Sequence, residues 1–414
     1  MRGRAISVRR IVAEAIPGGR YATHGIDSYP AKMVPHLARY AIQNVSRVGE
    51  LVYDPFCGCG TVMVESALLG RDSLGSDINP VAVLLARTKS TPISAEHLRA
   101  RAVEVVTQAS NNCNASPEYP EWLSYWFSPT TLRKLGALRR AIEGADRRGT
   151  IGVALRAALI LTVRRVSRAD PRSPKPFISR RAREHRLRRH LDPFVHFVDV
   201  VEMMCLAAGD LACRLPRARP STKVYVADSR KRDKRIKPGS IDAVVTSPPY
   251  LTAQDYFRSS KLELAVSGQW YEGIEADLGP KIIGSGRGHV EKTDGSPLAW
   301  EPTPLDRLGK RSLRARQVVE NYLGDMAKVV ANVREYLKPK GKCCLIIGNS
   351  TVQGVRLPVH RWVVSIAKSA GLELIGHDVD AIRGRRVPPQ REGHSSVIDK
   401  EHLLFFQKPA QASQ

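Results

Sequence analysis

Two short stretches hold residue types at spacings that could do chemistry. The first is DPFCGCGT at residues 54–61, which follows the apolar run Leu51-Val52-Tyr53 and precedes the helical pattern TVMVESALLG. Gly58 and Gly60 allow a tight turn and the close approach of a ligand. The helix behind them offers backbone N–H groups with no partner of their own. Asp77 ends the next apolar run, where an acid accepts hydrogen bonds from ribose hydroxyls. Together these residues describe a nucleoside-containing cofactor. A dinucleotide turn needs a third glycine, and Gly58-Cys59-Gly60-Thr61-Val62-Met63 lacks it. No G-x-x-x-x-G-K-[ST] occurs, so a P-loop is out. Asp54 would repel a pyrophosphate but accept from an α-amino group. S-adenosyl-L-methionine carries an amino group and no phosphate, so the two acids favour it over NAD. A glycine turn that only packs a helix is the bland alternative, and the flanking acids weigh against it. Cys57 and Cys59 read as small fillers, because two thiols without a further partner make a poor metal site.

The second stretch, AVVTSPPY at residues 243–250, climbs like a buried strand and stops. Pro248 and Pro249 cannot donate N–H groups and hold φ near −65°. The result is a stiff ledge of carbonyl oxygens with Tyr250 beside it. Acceptors there suit an amino group, Ser247 and Pro248 foremost, and a tyrosine ring suits a flat base. An isolated Ser-Pro-Pro-Tyr is more often a plain strand terminator. Here it falls at the carboxyl end of a strand in an α/β pattern, where ligands bind beside the switch in strand order.

The elements that must position these residues can be read along the chain. Residues 30–46 have helical apolar spacing in Met33, Leu37, Ala41, Ile42 and Val45. Strand 51–53, helix 61–70, strand 73–77 and helix 81–89 then alternate, which predicts a parallel sheet. Residues 121–145 and 153–167 read as helices, with no strand in that region. Residues 164–190 carry eleven Arg or Lys against Asp170 and Glu184. Strands are expected at 223–229 and 241–250, joined by the basic loop RKRDKRIKPGS. Residues 268–312 read as a long loop or small excursion. A helix over 318–341, a strand over 341–350 and a closing antiparallel pair at 372–382 and 402–408 complete the reading. The expected organisation is a cofactor-binding part at 1–94, a mostly helical basic insertion at 95–220, and the rest of the same catalytic domain at 221–414.

Composition sets the outer limits. Hydrophobic residues make up 43% of the 414 and charged residues 25%, ordinary for a globular chain with a real core. The charge is not ordinary: 65 Lys plus Arg against 40 Asp plus Glu give +25. A polyanion such as nucleic acid is the partner this suits; a merely basic, soluble protein is the plainer reading. The seven cysteines form no C-x-x-C pair and are odd in number, against a zinc ribbon or a disulfide framework. No run of about 18 apolar residues occurs. The expectation is a soluble, cytoplasmic protein.

At this point the residues resemble a family. DPFCGCGT with Asp77, VVTSPPY, and the upstream THGIDSYPAKMVPHLARYAI look like the DNA amino-methyltransferases, which methylate an exocyclic nitrogen of cytosine or adenine. The similarity covers roughly residues 20–90 and 222–265 and is weaker near 322–350 and 380–408. It implies a Rossmann-like S-adenosylmethionine-dependent methyltransferase sheet, an α/β fold. It implies that Asp54, Phe56, Gly58 and Gly60 line the methionine part, that Asp77 binds the ribose, that Asp228 lies near the adenine, and that Pro55, Thr61 and Ile78 also belong to the cofactor site. Tyr29, Pro30 and Lys32 would close over the carboxyl end of the cofactor. Ser247, Pro248, Pro249 and Tyr250 would form the target site. Ser at the first position is more typical of cytosine-N4 enzymes, Asp or Asn of adenine-N6 enzymes. Many cytosine-N4 enzymes place Ser-Pro-Pro-Tyr before the glycine turn; here it follows, as in a circular permutation of the same sheet.

The implied reaction is direct transfer of a methyl group onto the N4 amino group of a cytosine flipped from double-stranded DNA. Carbon-5 methylation would need a thiolate, usually in a Pro-Cys pair, and no such dipeptide exists. Arg164, Arg165, Arg168, Arg172, Lys175, Arg180 and Arg181 are the candidate phosphate contacts, with a solvated charged face as the rival reading. A cognate restriction endonuclease is a further partner the resemblance brings into view. An adenine-N6 enzyme, an RNA amino-methyltransferase and an inactive DNA-binding protein remain as alternatives.

Overall fold

The computed structural model describes residues 4–6, 19–27, 29, 32–115, 119–145, 149–171, 173, 175–180, 191–251, 256–269, 282–284, 302–382 and 398–410. Five parallel strands form the centre: β2 (Leu51–Asp54), β3 (Asp72–Asp77), β4 (Thr222–Val226), β5 (Ile241–Thr246) and β6 (Leu337–Gly348). With the edge strand β1 (Arg4–Ile6), β9 (Glu373–Ala381) and β10 (Lys400–Gln407) they make an eight-stranded sheet in the order β1-β9-β10-β6-β5-β2-β3-β4. β10 runs antiparallel to both β6 and β9. Strands β7 (Ser350–Val352) and β8 (Val355–Leu357) form a separate hairpin. From β2 the chain winds outward through β3 and β4, then returns to place β5 on the other side of β2. The carboxyl ends of β2 and β5 therefore flank the reversal of strand order, where open α/β sheets bind ligands.

Both faces of this sheet are covered, which is why its strands read as apolar runs rather than alternating ones. Val52, Ala243, Val245 and Ile346 point to α1 (Pro35–Val45) and α2 (Thr61–Leu68), and α3 (Pro80–Ser90) completes that layer. Their neighbours Tyr53, Val244 and Leu345 point the other way, onto α11 (Leu313–Tyr336) and α12 (Val359–Ser369). The period of two in side-chain direction makes this division automatic.

Between β3 and β4 the chain builds helices: α4 (Ala95–Asn111), the 3-10 turn Glu121–Tyr125, α5 (Pro129–Ala145), α6 (Thr150–Val166) and α7 (Pro193–Arg214). They enclose a cluster of their own around Leu98, Leu138, Leu155, Leu159, Phe197 and Val201. The short α9 (Lys261–Val266), which follows α8 (Tyr256–Ser259), packs into the same cluster through Leu264 and Val266. Asp192 opens α7 by accepting from the Phe194 N–H at 2.8 Å, and Pro193 fits the first turn.

Several sequence-based bounds shift for local reasons. The helix expected from residue 30 starts at Pro35, because Val34 before it is held extended (ψ 128°). The strand expected over 241–250 ends at Thr246, before the two prolines. The helix expected over 318–341 runs from Leu313 to Tyr336, and Leu337 to Lys340 join β6 instead. Part of the expected loop at 268–312 is the helix α10 (Pro302–Arg311), a correction. Apart from residues 268–269, 282–284 and that helical end, the excursion lies outside the described residues. The closing antiparallel pair forms as expected, with a bulge between Phe405 and Phe406. No described helix is long and apolar enough to cross a membrane.

Candidate active site

The cleft lies where the carboxyl ends of β2, β3 and β5 meet. Asp54, the last residue of β2, is buried, and its Oδ1 accepts from the Phe56 N–H at 3.0 Å and from Thr246 Oγ1 at 2.6 Å. Thr246 is the last residue of β5, so one hydrogen bond joins Asp54 to the strand that leads into Ser247. Burial pushes Asp54 up to about 7, with the nearby Asp77 adding to it and the two hydrogen bonds opposing it. Asp77 ends β3. Its Oδ2 accepts from the Gly58 N–H at 3.0 Å and its Oδ1 from the Asn79 N–H at 2.8 Å. Burial raises it to about 6 against those bonds.

The glycines of the turn divide their work. Gly58 (φ +49°) faces the cleft, and a Cβ there would lie 3.8 Å from the Tyr29 ring. Gly60 (φ +87°) faces inward, where a Cβ would stand 2.8 Å from Ala86 Cα. Close packing of α2 on α3 therefore requires glycine at position 60, and the left-handed backbone favours it at 58. Thr61 lines the cleft at the start of α2. Cys57 and Cys59 are buried and also line the cleft.

A strap from the N-terminal side closes one wall. The Tyr29 hydroxyl accepts from Asn79 Nδ2 at 3.0 Å, and the same amide donates to Ser260 Oγ at 3.0 Å. Lys32 Nζ donates to the carbonyls of His24 (2.7 Å) and Asp27 (3.2 Å). Asp27 in turn pairs with the fully buried Lys89 at 2.7 Å. Burial works to raise Asp27, but Lys89 and Lys32 overcome it and hold the acid at about 2. A second buried acid, Glu65 on α2, accepts from Tyr21 (2.6 Å), His24 (2.8 Å) and Arg39 (2.7 Å). These anchors were missed in the sequence. Lys89 had a signal: it falls four residues after Leu85 and eight after Val81, on the apolar stripe of α3. Pro30 lies outside the described residues.

At the far end, Ala227, Asp228 and Ser229 leave β4 to form the opposite wall, with Phe56, Ile78, Ile282 and Ile283 as its apolar lining. Arg230 bridges Asp228 (2.9 Å) and Asp325 (3.1 Å). Pro55 meets this wall through its carbonyl, which accepts from Ser229 Oγ.

Ser247 and Pro249 line the same cleft. Pro248 between them is buried, and Tyr250 stands beyond the lining. Its hydroxyl donates to Glu401 Oε1 at 3.0 Å, and its ring lies over Gly348, where a Cβ would come within 3.1 Å of Tyr250 Cε2. Ser350 Oγ holds the carbonyl of the next residue, Leu251, at 3.0 Å. Glu401, 151 residues away in sequence, left no mark that the sequence reading could use.

The basic segment separates into inward and outward residues. Arg164 is half-buried, donates to the Ser173 carbonyl at 2.7 Å and lies near the buried Glu263. Arg165, Arg168 and Arg180 are exposed, and Lys175 is half-buried. Arg172 and Arg181 lie outside the described residues.

Residues 13–88 match the N6/N4 methyltransferase family described as DNA methylase. The chain is 24% identical over 422 residues to the Type II methyltransferase M.MvaI of Kocuria varians, across 93% of this chain and 90% of that protein. A shorter match, 39% over 66 residues, covers 16% of this chain and 12% of the Type II methyltransferase M.MjaII of Methanocaldococcus jannaschii. Another, 45% over 53 residues, covers 12% of this chain and 15% of a tRNA (guanine(10)-N2)-dimethyltransferase from the same organism.

Proposed function

We propose that the chain is an S-adenosyl-L-methionine-dependent DNA amino-methyltransferase and that it methylates the N4 amino group of a cytosine flipped out of double-stranded DNA. One observation carries the reading: Ser247 and Pro249 open onto the cleft that Asp54 and Asp77 line, and the Thr246–Asp54 hydrogen bond fixes the two halves together. When bound, S-adenosyl-L-methionine supplies an electrophilic methyl group on its sulfonium. Asp54 accepts the cofactor's ammonium, and Asp77 its ribose hydroxyls. Lys32 and Tyr29 close the carboxyl end, and Asp228 faces the adenine. Ser247 and the Pro248 carbonyl accept from the target amino group and aim its lone pair, so most of the gain comes from positioning. Tyr250 stacks on the extruded base and offsets part of the unstacking cost, about a few kcal/mol. Ser247 favours cytosine over adenine through the resemblance described above.

Incubation with DNA and methyl-labelled S-adenosyl-L-methionine, followed by nucleoside analysis, tests this. N4-methylcytosine is expected. N6-methyladenine would move the target, and label in RNA alone would remove the DNA assignment. Ser247→Ala should lower turnover about 10- to 100-fold with cofactor affinity unchanged; full activity would remove the ledge from the mechanism.

A further inference from the structure

The 3-10 turn Glu121–Tyr125 and the segment 167–180 lie side by side on the helical layer. The Arg168 N–H donates to the Trp126 carbonyl at 2.8 Å, and the Asp170 N–H to the Phe177 carbonyl at 2.7 Å. The backbone of 168–170 is thus tied both to the end of the turn that carries Tyr125 and to Phe177. Ala169 and Asp170 are buried, and Arg168 is turned out. Asp170, the one acid in segment 164–180, is held inward by Ser179 Oγ at 2.6 Å. The Arg168 guanidinium lies against the turn, donating to the carbonyls of Ser124 and Tyr125 at 3.3 Å each.

Both rings face solvent: Tyr125 is 56% exposed and Phe177 55%. Among the described residues they are the only aromatic side chains in the set of exposed large hydrophobics. A chain of contacts links the turn to the cleft wall. Lys261 Nζ sits 4.3 Å over the Trp122 ring, and Ser260 beside it takes the Asn79 amide at the cleft wall.

We propose that Tyr125 and Phe177, with Arg168 against the turn that carries Tyr125, form a contact surface for duplex DNA near the target nucleotide, the rings stacking on bases left unstacked when that nucleotide is extruded. Aromatic faces accept any base, and a guanidinium beside them meets the phosphate that links successive nucleotides. An acidic protein would use the arginine but gain nothing specific from two splayed rings. The inference rests on the proposed function and adds to it the residues that hold the opened duplex.

The test uses the full chain, a fluorescent mixed-sequence duplex for binding, and methyl incorporation into genomic DNA for turnover. The double variant Tyr125→Ala, Phe177→Ala should bind DNA at least about 30-fold more weakly and turn over more slowly, with cofactor affinity and melting temperature unchanged. Its salt dependence should keep the wild-type slope, because no charge was removed. Arg168→Ala should lower that slope by about one. Tyr125→Trp should bind as wild type. Full DNA affinity and turnover in the double variant would overturn the inference while leaving the methyltransferase reading intact, and so would tighter binding of single-stranded RNA than of the duplex. A wild-type chain that methylates no DNA would instead remove the proposed function.

Discussion

Lowering the pH from 7.5 to 6.0 should weaken S-adenosyl-L-methionine binding about tenfold. In the proposed binding mode Asp54 must be ionised to pair with the cofactor's ammonium, and Asp77 to accept from its ribose. In the free protein burial raises them to about 7 and about 6. At pH 7.5 roughly three-quarters of Asp54 and nearly all of Asp77 are ionised; at pH 6.0 the fractions fall to about a tenth and a half. The product of these changes is about 15-fold. The cofactor's own amino group, titrating near 8, becomes more fully charged over the same interval and returns a factor of about 1.5. Equilibrium dialysis with labelled cofactor at constant ionic strength reads the effect directly. Asp54→Asn removes its larger part, so the remaining dependence should be under about twofold. An affinity that stays flat or rises on acidification would refute the burial argument.

The same two acids act on stability with the opposite sign. Their folded values lie above the ordinary aspartate value of about 3.9. The folded state therefore binds more protons than the unfolded chain between about pH 4 and pH 7, and their contribution to stability is lost as pH rises through that window. The melting temperature of wild type relative to Asp54→Asn should fall from pH 5 to pH 8, while the rise caused by saturating cofactor should grow.

Two further changes test the supports of the cleft. Glu401→Ala should lower turnover about fivefold or more with cofactor affinity unchanged, and Glu401→Gln should restore most of it, because an amide oxygen still accepts from Tyr250; equal losses in both would show that the hydroxyl contact is idle. Gly60→Ala must fit a Cβ 2.8 Å from Ala86 Cα at φ +87°, so it should destabilise the chain by about 1–3 kcal/mol in denaturant titration; an unchanged midpoint would refute the packing role.

The sequence by itself determined the local chemistry. Asp54, Gly58, Gly60 and Asp77 sit at strand ends and a tight turn because apolar runs, glycine and acid fall in that order, and such order is a property of neighbours. Pro248 and Pro249 end β5 for the same reason: the missing donors are written in the residue type. The alternation of strand and helix likewise gave the parallel sheet, and the apolar runs 372–382 and 402–408 gave its antiparallel edge.

Only the tertiary structure decided which ends meet. Thr246 reaches Asp54 across 192 positions, Tyr250 reaches Glu401 across 151, and Asp27 finds Lys89 across 62. The outward face of segment 168–180 emerged because Asp170 folds inward while Arg168 does not. Periodicity reports which face of an element is apolar, but not which other element covers it. A buried acid is tolerable only beside its partner, and that partner is chosen by the winding of the sheet, in which β5 returns past β4 and β3 to lie against β2.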